Sequence, residues 1–118
     1  MIEKLSESSG NVIGYKLTGT ITKDDYGVMV PEVEELVKEH GSIRLLLDIE
    51  EFKREAVRAW GADMKFGKHL RNQIDKMAIV GDKKWEEWMT HLAKPFFAND
   101  SKFFHPADAA SAWAWLRE

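Results

Sequence analysis

The sequence predicts an α/β fold: a five-stranded mixed sheet, an N-terminal antiparallel hairpin followed by parallel strands, with four α-helical segments. Three observations predict it. Two short alternating segments bracket a Ser8-Ser9-Gly10-Asn11 cluster, the pattern of a hairpin. Two nearly unbroken apolar runs, at 43–49 and 76–81, have the character of strands buried on both faces, which are usually parallel and central. Stretches with apolar residues at three- and four-residue spacing alternate with these runs, and such interleaving implies right-handed crossovers onto a parallel sheet.

The elements follow in order. Ile2-Glu3-Lys4-Leu5 and Val12-Ile13-Gly14-Tyr15-Lys16-Leu17 are the hairpin strands. Thr22, with Asp25 three residues on, starts the first helix as a capping box that supplies acceptors to orphan backbone N–H groups. Tyr26, Met29, Val30, Val33, Leu36, Val37 and His40 form its apolar stripe. Pro31 interrupts the stripe and predicts a kink or two abutting pieces, and Gly41 suits the C-terminal glycine. After the strand at 43–49, a helix is expected from about Glu55 to Leu70, weakened by Gly61 and Gly67. The strand at 76–81 leads to Asp82, a good N-cap for a helix carrying Trp85, Trp88, Met89 and Leu92 on one stripe and ending by Pro95. Ser101-Lys102-Phe103-Phe104 is the last strand. Pro106 suits the first turn of a closing helix whose Ala109, Ala112, Trp113 and Leu116 face inward.

Composition bounds the function. The chain has 118 residues and is expected to form one domain, 1–118. It has no cysteine, hence no disulfide framework and no thiolate nucleophile or ligand. Met1-Ile2-Glu3-Lys4 already alternates, and nothing approaches the ~20 apolar residues of a membrane span, so a cytoplasmic protein without a transmembrane segment is expected. The net charge is −3, yet residues 53–76 carry seven basic and three acidic side chains. A solvated helix face accounts for that run, with an anion-facing or partner-facing patch as the alternative. The acidic pI of about 5.8 and the absence of a nucleic-acid-binding motif argue against DNA or RNA as partner.

Two stretches resemble a known family. Lys76-Met77-Ala78-Ile79-Val80-Gly81-Asp82, leading to Trp85, and Phe103-Phe104 followed by Ala109-Ala110 and Trp113-Ala114-Trp115-Leu116 resemble the SpoIIAA-like proteins. Gly19, Leu46-Leu47-Asp48 and the stretch from Asp63 to His69 agree more loosely. The resemblance implies a small fold shared with STAS domains and with Sec14-like (CRAL-TRIO) lipid-binding domains, and it speaks to fold more than to function. In anti-sigma factor antagonists of the STAS type, a phosphorylatable serine opens the helix after the third strand. Here that region is Asp48-Ile49-Glu50-Glu51-Phe52-Lys53-Arg54-Glu55-Ala56, and no Ser or Thr occurs between Ser42 and Thr90. A kinase switch at that place is not expected.

Ligands of open parallel sheets sit beyond the carboxyl ends of the strands. That rim carries Asp48, Glu50, Glu51, Phe52, Lys53, Arg54, Gly81, Asp82, Lys83, Trp85, His105 and Asp108. Capping accounts for Asp82, and hydrogen bonding to loop amides for Asp48. The four histidines show no metal-ligand spacing, and no nucleophile elbow, P-loop or dinucleotide turn occurs, so neither an enzyme nor a bound metal or cofactor is expected. The aromatic surplus says more: five Trp, six Phe and two Tyr. Trp113 and Trp115 cannot share one helix face. Taken with the basic run and with what the Sec14-like resemblance implies, the leading expectation is a non-catalytic domain binding an apolar or lipid-like small molecule. Trp60, Phe66, His69, Trp85, Trp88 and Phe97 would line the cavity, with Lys53, Arg54 or Lys68 at a polar head. The alternative is a STAS-type protein-interaction module docking through Asp48, Glu50, Glu51, Phe52 and Arg58. A homodimer through spare aromatic surface is expected in addition.

Overall fold

The computed structural model describes residues 1–20, 22–52, 73–84 and 100–118, apart from the side chains of Lys23 and Tyr26. Five strands form one sheet: β1 (Ile2–Lys4), β2 (Val12–Gly19), β3 (Ile43–Phe52), β4 (Ile74–Val80) and β5 (Ser101–Phe104). Their spatial order is their sequence order. β1 and β2 are antiparallel, and β2, β3, β4 and β5 run parallel to one another, as expected. Residues 43–49 and 76–80 thus lie side by side in the same direction, with Leu45 opposite Met77 and Leu47 opposite Ile79. Of the four expected helical segments, the first and last are described: α1 (Lys23–His40) and α2 (Ala109–Arg117). The expected helices at 55–70 and 82–97 fall largely outside the described residues, although Lys83 and Lys84 are already helical.

The hairpin turn is tied by Ser8, whose hydroxyl donates to the Leu5 carbonyl at 2.7 Å and accepts from the Gly14 amide at 2.9 Å. Gly10 sits at φ +58°, a conformation that favours glycine. α1 opens with the expected capping box. Thr22 Oγ1 accepts from the Asp25 amide at 3.2 Å, while the Asp25 carboxylate accepts from the Thr22 amide at 2.9 Å. It closes on Gly41, at φ +81°, whose amide donates to the Val37 carbonyl at 2.7 Å. Between them one helix of 18 residues runs through Pro31, correcting the expectation of two abutting pieces. Pro31 lies on the solvent side, where the missing N–H bond is easier to bear. His40, placed on the inner stripe by its spacing, is exposed in the last turn.

The sheet separates two apolar clusters. Ile13, Tyr15, Leu17, Leu45, Leu47, Met77 and Ile79 meet Met29, Val33 and Val37 of α1 on one face. Val12, Leu46, Ala78, Val80 and Phe104 meet Ala112, Trp113 and Leu116 of α2 on the other. Strands covered on both faces read as continuous apolar runs for this reason. A 3-10 turn, Pro106–Asp108, precedes α2, so Pro106 opens that turn and not the helix itself. Cations hold the end of α2: Arg44 donates to the Leu116 and Glu118 carbonyls, and Lys76 to the Trp115 carbonyl at 3.1 Å. The Trp113–Trp115 pair does not leave one ring free. Trp113 is buried, and Trp115 is half-buried against Phe104, with Lys76 and Lys102 at 5.0 and 5.9 Å from its ring centre.

Two places break the period-two rhythm. Ile43 faces Ile74 while Arg44 faces Lys76, so β4 holds one extra residue, Asp75. Its carboxylate accepts from the Ser42 hydroxyl at 2.7 Å. Lys16 faces Asp48 while Thr18 faces Glu51, so β3 also holds one extra residue. Each is a β-bulge, and each strand reads buried, two polar, buried: Ile74 to Met77 and Ile49 to Phe52.

Candidate functional site

The bulge in β3 builds the described part of the rim. The strand reaches Phe52, three residues beyond the apolar run, because β2 continues to pair with it through Thr18 and Gly19. Asp48 holds the bulge: its Oδ1 accepts from the Glu50 amide at 3.1 Å. This bears out the reading of Asp48 as an acceptor for a nearby amide, although the amide belongs to a strand and not to a loop. The extra residue leaves Glu50 and Glu51 both exposed, where strict alternation would turn one of them inward. Phe52 is corrected from a docking residue to a core residue. It is 4% exposed and packs with the α1-side cluster.

Lys16 completes the group, and sequence reasoning missed it. Its ammonium lies 3.0 Å from the Glu51 carboxylate, and Glu3 and Asp48 face it from the neighbouring strands. The hydrogen bond and charge of Glu51 push the Lys16 pKa above its ordinary value, so it stays cationic at neutral pH. The signal was present in the alternation of Tyr15 and Leu17, which turns Lys16 to the opposite face. Glu50 and Glu51 therefore differ: Glu51 has a cation partner within its own sheet, while Glu50 points to solvent.

The rest of the rim is more dispersed. The Gly81 amide donates to the Phe104 carbonyl at 3.1 Å, linking the ends of β4 and β5. Asp82, Lys83, His105 and Asp108 are exposed, and the His105 ring stands edge-on to Phe103 at 5.9 Å. Among the described residues no three His, Asp or Glu side chains come together as a metal site. Lys53, Arg54, Arg58, Trp60, Phe66, Lys68, His69, Trp85, Trp88 and Phe97 lie outside the described residues, so the expected ligand cavity does too.

The start of α1 borders this rim. The Asp25 pKa is lowered, first by the hydrogen bond from the Thr22 amide and then by the Thr22 hydroxyl and the Met1 amine. A depressed carboxylate pKa contributes stability above its ordinary value of 3.8 and loses it as pH falls through the folded-state value. Asp25→Ala is expected to cost about 1 kcal/mol at pH 7. In urea melts the gap to the unmodified protein should close as pH drops below 3.8; a gap constant with pH would assign the effect to something other than the carboxylate.

The sequence matches the SpoIIAA-like family model over residues 12–117, which takes in β2 to α2. The chain belongs to the SpoIIAA-like family. A solved structure similar to it is that of an uncharacterized protein of the DUF3478 family with a SpoIIAA-like fold, from Shewanella loihica PV-4. The two share 29% identity and superpose with a TM-score of 0.70 over 98% of this chain and 92% of that one. No curated protein matches the sequence. A SpoIIAA-like fold is that of a binding or regulatory kind of domain. Among the described residues of this SpoIIAA-like chain, no helix is long and apolar enough to cross a membrane.

Proposed function

We propose that this SpoIIAA-like domain is a non-catalytic docking module that binds a basic protein surface at the C-terminal end of β3. The observation that carries the reading is the Asp48-anchored bulge, which presents Glu50 and Glu51 side by side on a rigid strand. Bulges at sheet ends re-aim side chains, and a site built on a strand is positioned more sharply than one on a loop. Among the described residues, the groups with displaced pKa values are Tyr15, raised by burial and then by Glu32, Lys16, raised by Glu51, and Asp25, lowered by the Thr22 amide; each shift has a structural cause, which supports a binding role over proton transfer.

The test uses Glu50→Lys with Glu51→Lys. Cross-linking in lysate of the native host should recover a partner with the unmodified chain. The double variant, with an unchanged circular dichroism spectrum, should bind that partner about tenfold or more weakly, with a reduced salt dependence. Equal binding by both proteins would overturn the docking reading.

A second reading, an apolar or lipid-like ligand, is supported by where the aromatic residues fall. Tyr15, Phe52, Phe103, Phe104, Trp113 and Trp115 are all taken up in packing. The other aromatic side chains, Tyr26, Trp60, Phe66, Trp85, Trp88, Phe96 and Phe97, lie outside the described part, and the expected cavity and homodimer seam draw on that set. Native mass spectrometry followed by solvent extraction separates the readings. A stoichiometric small molecule favours the ligand; an empty chain at its sequence mass favours docking.

A further inference from the structure

We propose that α1 is hinged at Gly27 and Pro31, so that its first two turns open and close as one unit beside the C-terminal ends of β2 and β3. Pro31 brings no N–H to the Gly27 carbonyl four residues earlier, and its ring crowds that carbonyl. The residue that carries the crowded carbonyl is a glycine, whose backbone is the freest to tilt away. Packing does not demand a glycine there, since a Cβ on Gly27 would meet no atom within 4 Å. Two helix-weakening residues thus stand one turn apart on the solvent side of the same helix, with Val28, 77% exposed, between them.

The two halves of α1 are gripped unequally. Just past the proline, Glu32 accepts from the Tyr15 hydroxyl and pairs with Lys4 at 3.7 Å, and Val33 and Val37 are buried. These ties fix the second half to β1 and β2. From Gly27 to Pro31, Met29 alone is buried. At the other end of the first half, the capping box is a bond within the unit, and its tie to the start of β1 is an exposed ion pair between the Asp25 carboxylate and the Met1 amine at 3.7 Å, a weak kind of contact. Gly19, at φ +60° with open space around it, marks where β2 ends, and the Thr18 and Thr20 carbonyls on either side of it accept from the Met1 amine at 2.7 and 2.8 Å. Met29 shares its apolar cluster with Ile49 and Phe52, so an outward swing uncovers apolar surface on the α1 side of β3, the face opposite the Lys16–Glu51 pair. The use of this opening in partner binding rests on the docking reading; the motion itself does not.

Amide exchange read by NMR tests the hinge on the intact chain. The amides of residues 27–30 should exchange together, about tenfold or more faster than those of Val33 to Val37, with a step at Pro31. Pro31→Ala restores the missing donor and should slow residues 27–30 about tenfold while leaving Val33 to Val37 unchanged. Gly27→Ala should act in the same direction by a smaller factor. A smooth gradient from the helix end that Pro31→Ala does not alter would be ordinary fraying and would overturn the hinge. If the step is present while Glu50→Lys with Glu51→Lys binds as the unmodified chain does, the hinge stands and the docking reading falls.

Discussion

Leu116→Ala is expected to lower stability by about 2–5 kcal/mol, the range for removing a leucine from a filled core site. Leu116 is 0% exposed and packs in the cluster where α2 covers Val12, Leu46 and Ala78. The substitution leaves the backbone of α2 and its cation clamps in place, so the cost falls on the lost contacts and the cavity. Urea denaturation should show a lower midpoint with an unchanged slope, and a melting temperature reduced on the order of 10 °C. Ala114→Ser, on the exposed side of the same helix, is the control and should move the midpoint little. A Leu116→Ala cost below about 1 kcal/mol would mean that α2 does not seal this face.

Gly14→Ala decides between two opposed effects. An alanine in a strand interior is ordinarily worth about 0.5–1 kcal/mol more than a glycine. Here a Cβ would stand 2.4 Å from Trp113 Cη2, 2.8 Å from Cζ2 and 3.3 Å from Leu5 Cδ1. Trp113 is 7% exposed and Arg117 lies over its ring at 5.3 Å, so the indole has little room to retreat. Overpacking wins, and a net loss of about 1–3 kcal/mol is expected. The cycle with Trp113→Leu isolates the clash. Once the indole is gone, adding the methyl should cost nothing measurable, a coupling of about 1 kcal/mol or more. A stabilising Gly14→Ala in the otherwise unmodified chain would remove the close approach of α2 to β2 as the reason for this glycine.

The parts of the fold that were legible in the sequence are those where one local rule acts alone. The runs at 43–49 and 76–81 declared a doubly covered parallel centre because both of their faces are packed. Thr22 with Asp25, and Gly41, marked the ends of α1 because each is itself part of the bond that ends the helix. Legibility failed where a partner strand decides. The bulges at Asp75 and Glu50 follow from register between neighbours, which no single strand encodes, so β3 was read as ending at Ile49 and Phe52 as a surface residue. Of the two outcomes expected at Pro31, a kink or two abutting pieces, the second fails because the proline faces water while Met29 and Val33 on the inner side stay packed on either side of it. At the site, Asp48 was readable because an aspartate two residues before an amide is a known local acceptor, whereas Lys16 required knowing that β3 lies next to β2.

Because the strands are laid down in the order in which they are translated, the nascent chain can extend its sheet at one growing edge, each arrival finding its template already in place. The side served by α2 is the exception. Val12 and Leu46 are synthesised long before Leu116, and they stay without that cover until the latest of the described elements has left the ribosome. Truncated or stalled products that lack α2 would therefore leave Val12, Leu46, Ala78 and Val80 without their α2 contacts, a greasy surface to which a holding chaperone would be recruited.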